Sequence, residues 1–237
     1  MTSTAAPPRR LAALIFPVCI AGLGVLAAAA YEFATTPHSG HELLGLVALT
    51  AAATLAERFP VPIQPEGPAA SLTLTFVFAV AAIVLYGWAA GALLLLAATA
   101  IWQLVQHRPL ERIAYNVSVL ALVALAAGAL IAPIHGDSAG SLVARVVLAA
   151  AADNVVNVVL ISAAMALSTG HRYLPLVERN MRVTIVPFAF MASAAVMLVV
   201  LWERSPLLSP ALVGPLLAIS LYQRSTHRAL RAMRLAR

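Results

Sequence analysis

The chain lacks the residues that a water-soluble domain places on its surface. Its 237 residues include no lysine, and charged residues make up only 10% of them. Hydrophobic residues make up 62%, and the mean hydropathy is +0.93. A soluble domain could not bury so large an apolar fraction in one core. The composition therefore excludes a soluble protein and predicts an integral membrane protein.

Cysteine, metal-ligand sets and catalytic motifs are also scarce. The single cysteine, Cys19, excludes a disulfide within the chain. His38, His41 and Glu42 lie close together in sequence, but no further strong ligand adjoins them, so we predict no metal site. The sequence contains no HExxH, no GxSxG and no P-loop. We therefore expect neither a cofactor nor enzymatic activity.

Long apolar runs predict an all-α, polytopic transmembrane bundle of about eight spans, since one crossing needs roughly 20 residues. Three of the runs, the second, third and eighth, are shorter than this length, so six or seven crossings remain open. The first run is longer than the roughly 7 to 15 apolar residues of a signal peptide, and we expect a retained helix. The runs lie near 11–31, 42–56, 71–85, 89–106, 113–132, 142–168, 183–202 and 207–222.

Arginine supplies all fifteen basic residues, and its distribution predicts the orientation of the bundle. Threading eight spans through a membrane leaves only Arg145 and Arg204 on one side. Because positively charged loops stay in the cytoplasm, both chain termini are predicted to be cytoplasmic. The thirteen arginines on the cytoplasmic side are Arg9, Arg10, Arg58, Arg108, Arg112, Arg172, Arg179, Arg182, Arg224, Arg228, Arg231, Arg234 and Arg237.

The chain divides into three predicted parts. Residues 1–10 form a disordered cytoplasmic lead-in, 11–222 a single transmembrane helical domain, and 223–237 a basic cytoplasmic tail helix. No connecting segment is long enough to fold a soluble domain, so we expect no nucleic-acid partner. Four tail arginines recur every three or four residues, where they would face the lipid bilayer or a protein partner. These are Arg224, Arg228, Arg231 and Arg234.

An acid and two amides stand in the middle of the sixth apolar run. An ionised carboxylate facing lipid is costly, so we expect Asp153 to face protein or water. Asn157 lies one helical turn further on, and Asn154 lies about 100° around the helix. Gln103 and Asn116 are the clearest partners in neighbouring runs. Two interpretations of these five residues stay open: hydrogen bonds between helices, or a site for a ligand or ion.

Several stretches resemble the N-terminal membrane module of actinobacterial signalling proteins. They read ERFPV, SLTLTFVFAVAAIVLYGWAAGALLLL, RPLERIAYN, VVNVVLISAAMALSTG and ERSPLLSPALVGPLLAISLYQRS, and the resemblance covers most of residues 40–228. In those relatives the module precedes a GGDEF diguanylate cyclase or an HD-GYP phosphodiesterase domain. The resemblance implies a sensor-like bundle in a bacterial plasma membrane. This chain shows no such output domain, so we expect any signal to pass to a separate protein.

Three functions are consistent with these observations. The first is a non-enzymatic sensory or binding module for a lipophilic or small amphipathic ligand, acting through a partner protein or as a homo-oligomer. The second is a transport component resembling the substrate-capturing subunits of vitamin importers. The third is a structural subunit of a larger membrane complex. A small molecule that co-purifies with the protein would favour the first two over the third.

Overall fold

The computed structural model describes residues 9–58, 61–62, 71–136 and 138–204. The predicted lead-in apart from Arg9 and Arg10, the eighth apolar run and the tail with Arg224, Arg228, Arg231 and Arg234 lie outside the described residues. Within the described part the chain forms seven helices and one short antiparallel β-ladder. These are α1 (Arg9–Thr35), α2 (Gly40–Glu57), β1 (Val61–Pro62), β2 (Ser71–Leu72), α3 (Thr75–Tyr86), α4 (Trp88–Val105), α5 (Leu110–Ile131), α6 (Ala139–Thr169) and α7 (Tyr173–Arg204).

Five of these helices, α1, α4, α5, α6 and α7, are long and apolar enough to cross a membrane. The prediction of a helical membrane bundle is therefore confirmed. The α3 helix is apolar but has only 12 residues, which corresponds to about 18 Å against a hydrocarbon core of about 30 Å. The number of crossings, predicted as about eight, stays a prediction.

The predicted third run was placed four residues too early. Ser71 and Leu72 pair with β1 instead of starting a helix, and α3 begins at Thr75. Thr75 Oγ1 donates to the backbone carbonyl of Ala53 near the end of α2, at 3.1 Å. Thr73 Oγ1 donates to the Glu57 carboxylate at 3.1 Å. These bonds tie the start of α3 to the end of α2.

Neighbouring helices run in opposite directions. The start of α3 meets the end of α2, and Gly87 alone joins α3 to α4 with a φ of 90°, which glycine adopts without strain. Short connections also join α4 to α5, α5 to α6 and α6 to α7. One end of the bundle, which we call the arginine-rich end, holds Arg58, Arg108, Arg112, Arg172, Arg179 and Arg182. The other end, which we call the opposite end, holds Arg145 and Arg204.

The α7 helix begins ten residues before the predicted run. Its 32 residues span about 48 Å, which exceeds the hydrocarbon thickness of a membrane. The early part of the helix, YLPLVERNMR, mixes apolar residues with charged ones, and Pro175 lies in its first turn, where a helix tolerates proline. Arg182 and Glu178 form an ion pair one turn apart, with Nη2 and Oε1 separated by 2.6 Å.

The α3 helix lies at the centre of the bundle, where it contacts α2, α4, α6 and α7. Its residues from Phe76 to Val84 are all buried. A helix that is apolar on every side is stable where apolar groups surround it, in a protein core or in lipid, and here the neighbouring helices surround α3. Phe76 packs edge to face on Phe188 of α7, with ring centroids 4.7 Å apart. In α4, Gly91 packs against Ile83 so closely that a Cβ atom would clash, which lets the α3–α4 hairpin close.

Candidate functional site

The structure places Asp153 on the buried face of α6. Val146, Ala149 and Ala150 lie on the same face and are buried with it. Only 5% of Asp153 is exposed, although it stands near the middle of a 31-residue apolar helix. The small neighbouring side chains let other helices approach this face closely.

The Asp153 carboxyl has no hydrogen-bond partner within the part of the chain that the structure describes. This is unusual, because most buried polar side chains in folded proteins have at least one partner. Leaving a buried polar group without a partner costs about 1–3 kcal/mol, and more for a charged group. Among the described residues, Tyr86 OH and Thr99 Oγ1 are the side-chain atoms that are fully enclosed without a partner. The Asp153 carboxyl is nearly but not completely enclosed, so this cost is an upper limit for it.

Gln103 and Asn116, in contrast, form a hydrogen bond with each other. Asn116 Nδ2 on α5 donates to Gln103 Oε1 on α4 at 3.1 Å, and both side chains are half-buried. This bond lies toward the arginine-rich end of the bundle, one turn or two from Arg108 and Arg112. The pair acts as an interhelical hydrogen bond, which was one of the two interpretations left open by the sequence.

Asn154 belongs to a polar ladder between α6 and α7. Its Oδ1 atom accepts from Thr184 Oγ1 at 3.0 Å. Two turns along, Asn180 Nδ2 donates to Ser162 Oγ at 2.8 Å, and Ser162 is fully buried. The α6–α7 ladder is defined by these four residues. The sequence-based list of site residues omitted Ser162, Asn180 and Thr184. The four-residue spacing of Asn180 and Thr184, about one helical turn, was the signal that could have found the α7 pair.

Asn157 is half-buried and makes no hydrogen bond with the described residues. Val156 and Leu160 beside it pack on a second hydrophobic cluster, formed by α1 and α5. Tyr115 OH of α5 donates to the backbone carbonyl of Leu160 at 2.9 Å. The five predicted site residues are thus not joined by hydrogen bonds into one site: three have partners of their own, while Asp153 and Asn157 have none.

Two pockets open at the opposite end of the bundle, and none of the five predicted residues lines either of them. The smaller pocket has a volume of about 180 Å³ and lies beside Tyr86, His38 and Glu42. The larger one, which we call the Arg145 pocket, has a volume of about 390 Å³. Its principal lining side chains are Ile83, Trp88, Ile131, Ile134, His135 and Arg145.

His38 and Glu42, which lie close together in sequence, stabilise the turn between α1 and α2. His38 Nε2 lies 3.0 Å from the carbonyl of Phe33 near the end of α1, and its Nδ1 lies 3.9 Å from a Glu42 oxygen. Glu42 and Ser39 form a reciprocal capping box at the start of α2. Among the described residues, no group of three or more histidine, cysteine or acidic side chains could hold a metal ion.

Three described residues within the stretches that resemble signalling modules lie at turns and helix contacts. Glu57 accepts the hydrogen bond that fixes the start of α3, Gly87 makes the α3–α4 turn, and Asn116 pairs with Gln103. Such positions constrain the fold and do not identify a ligand. Comparisons of the chain with family models, with curated proteins and with solved structures give no match.

Proposed function

We propose that this chain is a non-enzymatic membrane module of sensory type that binds a lipophilic or small amphipathic ligand. The observation that carries the proposal is the Asp153 carboxyl, which is buried at mid-helix and has no partner among the described residues. Ionisable residues inside membrane helices are costly, and they most often serve binding or transport. The module acts through a separate protein or a second copy of itself.

The contrast between Asp153 and the neighbouring amides supports this proposal. If Asp153 served only to hold helices together, it would be bonded as Asn154 is to Thr184 and as Asn116 is to Gln103. A ligand that brings a hydrogen-bond donor or a positive charge would satisfy the carboxyl. Binding would then recover part of the free energy that an unpartnered buried carboxyl costs.

Eight crossings, with both termini in the cytoplasm of a bacterium, form part of the proposal. The clustering of six described arginines at one end of the bundle supports this orientation. In it, the arginine-rich end faces the cytoplasm, while Arg145 and Arg204 face outward. The proposal includes contacts of the tail arginines, which lie outside the described residues, with the inner leaflet or a cytoplasmic partner: Arg224, Arg228, Arg231 and Arg234.

The proposal is tested by identifying the small molecules that co-purify with the protein. Wild-type protein, Asp153→Asn and Thr184→Val are purified in one detergent and analysed by native mass spectrometry. We expect a bound molecule on the wild type, its loss from Asp153→Asn, and its retention on Thr184→Val, which removes a bond of the ladder and leaves the carboxyl intact. Equal retention on all three variants would contradict a role of Asp153 in binding. The absence of any bound molecule from the wild type would favour a structural subunit.

A transport component is the second candidate, and the same carboxyl favours it. An acid at mid-helix can bind a cation or proton that moves together with a solute. The test uses the molecule identified by mass spectrometry and measures its uptake into sealed vesicles that contain the protein. Uptake by the wild type and its loss in Asp153→Asn would establish transport. Binding without uptake would favour the sensory module over a transport component.

A further inference from the structure

The residues that line the Arg145 pocket suit a ligand with a negatively charged group and an apolar part. Its walls combine apolar side chains with polar groups in nearly equal measure: Ile83, Trp88, Ile131 and Ile134 are the large apolar residues of the lining. Arg145 is the cation of this lining, and none of the described residues that line the pocket is acidic. A volume of about 390 Å³ falls within the range of ligand pockets, roughly 300–1,000 Å³.

Arg145 is held in place by one bond and keeps most of its donors free. Its Nη2 atom donates to the carbonyl of Val84 at 2.5 Å, in the last turn of α3. That carbonyl is one of the acceptors that a helix end leaves without an intrahelical partner. A guanidinium carries five N–H donors, so the fork that binds phosphate oxygens in pairs is still available. The bond to α3 fixes the side chain at the pocket wall before any ligand binds.

Two further features at the same pocket favour a negatively charged group. Gly87 and Trp88 bring the N-terminal end of α4 to the pocket, and no side chain caps its first amides. Those amides and the helix dipole favour an anion, adding to the charge of Arg145. His135 lines the pocket from the α5–α6 connection and supplies a ring nitrogen.

We propose that the Arg145 pocket binds a phosphate group, with the Arg145 guanidinium as its principal contact. The phosphate could belong to the head group of an anionic lipid or to a free phosphate compound, and the chemistry of recognition is the same. The pocket lies at the end of the bundle, beside the membrane-spanning helices α4, α5 and α6, so lipid head groups have access to it. This site is separate from Asp153, and its test does not depend on the function proposed above.

Two measurements distinguish the sources of the phosphate. In the first, the protein is reconstituted in nanodiscs with equal amounts of phosphatidylglycerol and phosphatidylcholine, and native mass spectrometry counts the lipids that remain bound. In the second, thermal unfolding of the detergent-solubilised protein is followed with and without inorganic phosphate, at constant ionic strength. Constant ionic strength is needed because general screening also changes with salt.

Three variants accompany the wild type in both measurements. Arg145→Gln removes the charge and keeps an amide donor for the Val84 carbonyl. Arg204→Gln is the matched control, because Arg204 lies at the same end, is exposed and does not line the pocket. Ala132→Trp fills the pocket from the exposed end of α5 without changing any charge.

We expect Arg145→Gln and Ala132→Trp to reduce phosphate-dependent binding about tenfold and Arg204→Gln to leave it unchanged. Selective retention of phosphatidylglycerol that depends on Arg145 would identify a lipid as the source. Stabilisation by inorganic phosphate that depends on Arg145, without a preference among lipids, would identify a free compound. Equal behaviour of Arg145→Gln and Arg204→Gln in both measurements would overturn the proposal. Unchanged binding by Ala132→Trp would do the same, even if Arg145→Gln failed to fold.

Discussion

Removing the Asp153 carboxyl should stabilise the ligand-free protein. In Asp153→Ala the unpartnered buried group disappears, and its cost of about 1–3 kcal/mol disappears with it. The small cavity left behind costs about 0.5 kcal/mol. The free energy of unfolding should therefore rise by about 0.5–2.5 kcal/mol. This direction is opposite to that of most substitutions at buried positions, which destabilise.

The assay is reversible unfolding in mixed micelles of a mild and a denaturing detergent. Bound small molecules are first removed by extensive washing. Asn154→Ala is the matched control, because it lies next to Asp153 on the same helix but breaks a formed bond to Thr184. The control should lose about 0.5–1.5 kcal/mol. If Asp153→Ala lost as much stability as Asn154→Ala, the carboxyl would be bonded in the folded protein, and the reasoning would be refuted.

Two other predictions concern contacts between helices. Tyr115→Phe removes the hydroxyl that donates to the Leu160 carbonyl. In the same assay this variant should lower the free energy of unfolding by about 0.5–1.5 kcal/mol. An unchanged value would show that this bond contributes nothing. Gly45→Val places a side chain where Tyr86 and Trp202 already lie, so we expect a clear loss of folded, monodisperse protein in size-exclusion chromatography. The control Gly24→Val lies at a position with open space and should behave as the wild type.

The sequence predicted the type of fold well because hydrophobicity and length govern membrane helices. The runs for α4 and α5 were placed within three residues of their observed starts and within one of their ends. Two of the differences from the predicted boundaries have local causes. The start of α3 depends on hydrogen bonds from Thr73 and Thr75 to α2. The early start of α7 adds charged residues, among them the ion-paired Glu178 and Arg182, that interrupt the apolar run but remain helical.

The candidate site could be predicted only in part. The composition of α6 identified Asp153 as a polar group that must turn away from lipid, and the structure places it on the buried face. Hydrogen-bond pairing depends on the rotation and register of neighbouring helices, which one sequence does not define. Gln103 and Asn116 were therefore named without being paired with each other, and Asn180 was assigned to a connecting segment although it lies in α7.

The Arg145 pocket was not predicted, because its parts are far apart in sequence. Ile83, Ile131 and Arg145 come from three different helices, and only the folded bundle brings them together. In the sequence, Arg145 was noted only for its side of the membrane. Its bond to Val84 connects residues 61 positions apart.

The most direct test of the central claim is an electron cryo-microscopy map of the protein, as purified, in a lipid nanodisc. The map must resolve the side chains of α6 and the helices around it. Our account predicts that the Asp153 carboxyl turns into the bundle and that density from a non-protein group lies within hydrogen-bond distance of it. A carboxyl that points to the lipid tails, or one that is bonded to another side chain of the protein, would contradict the account.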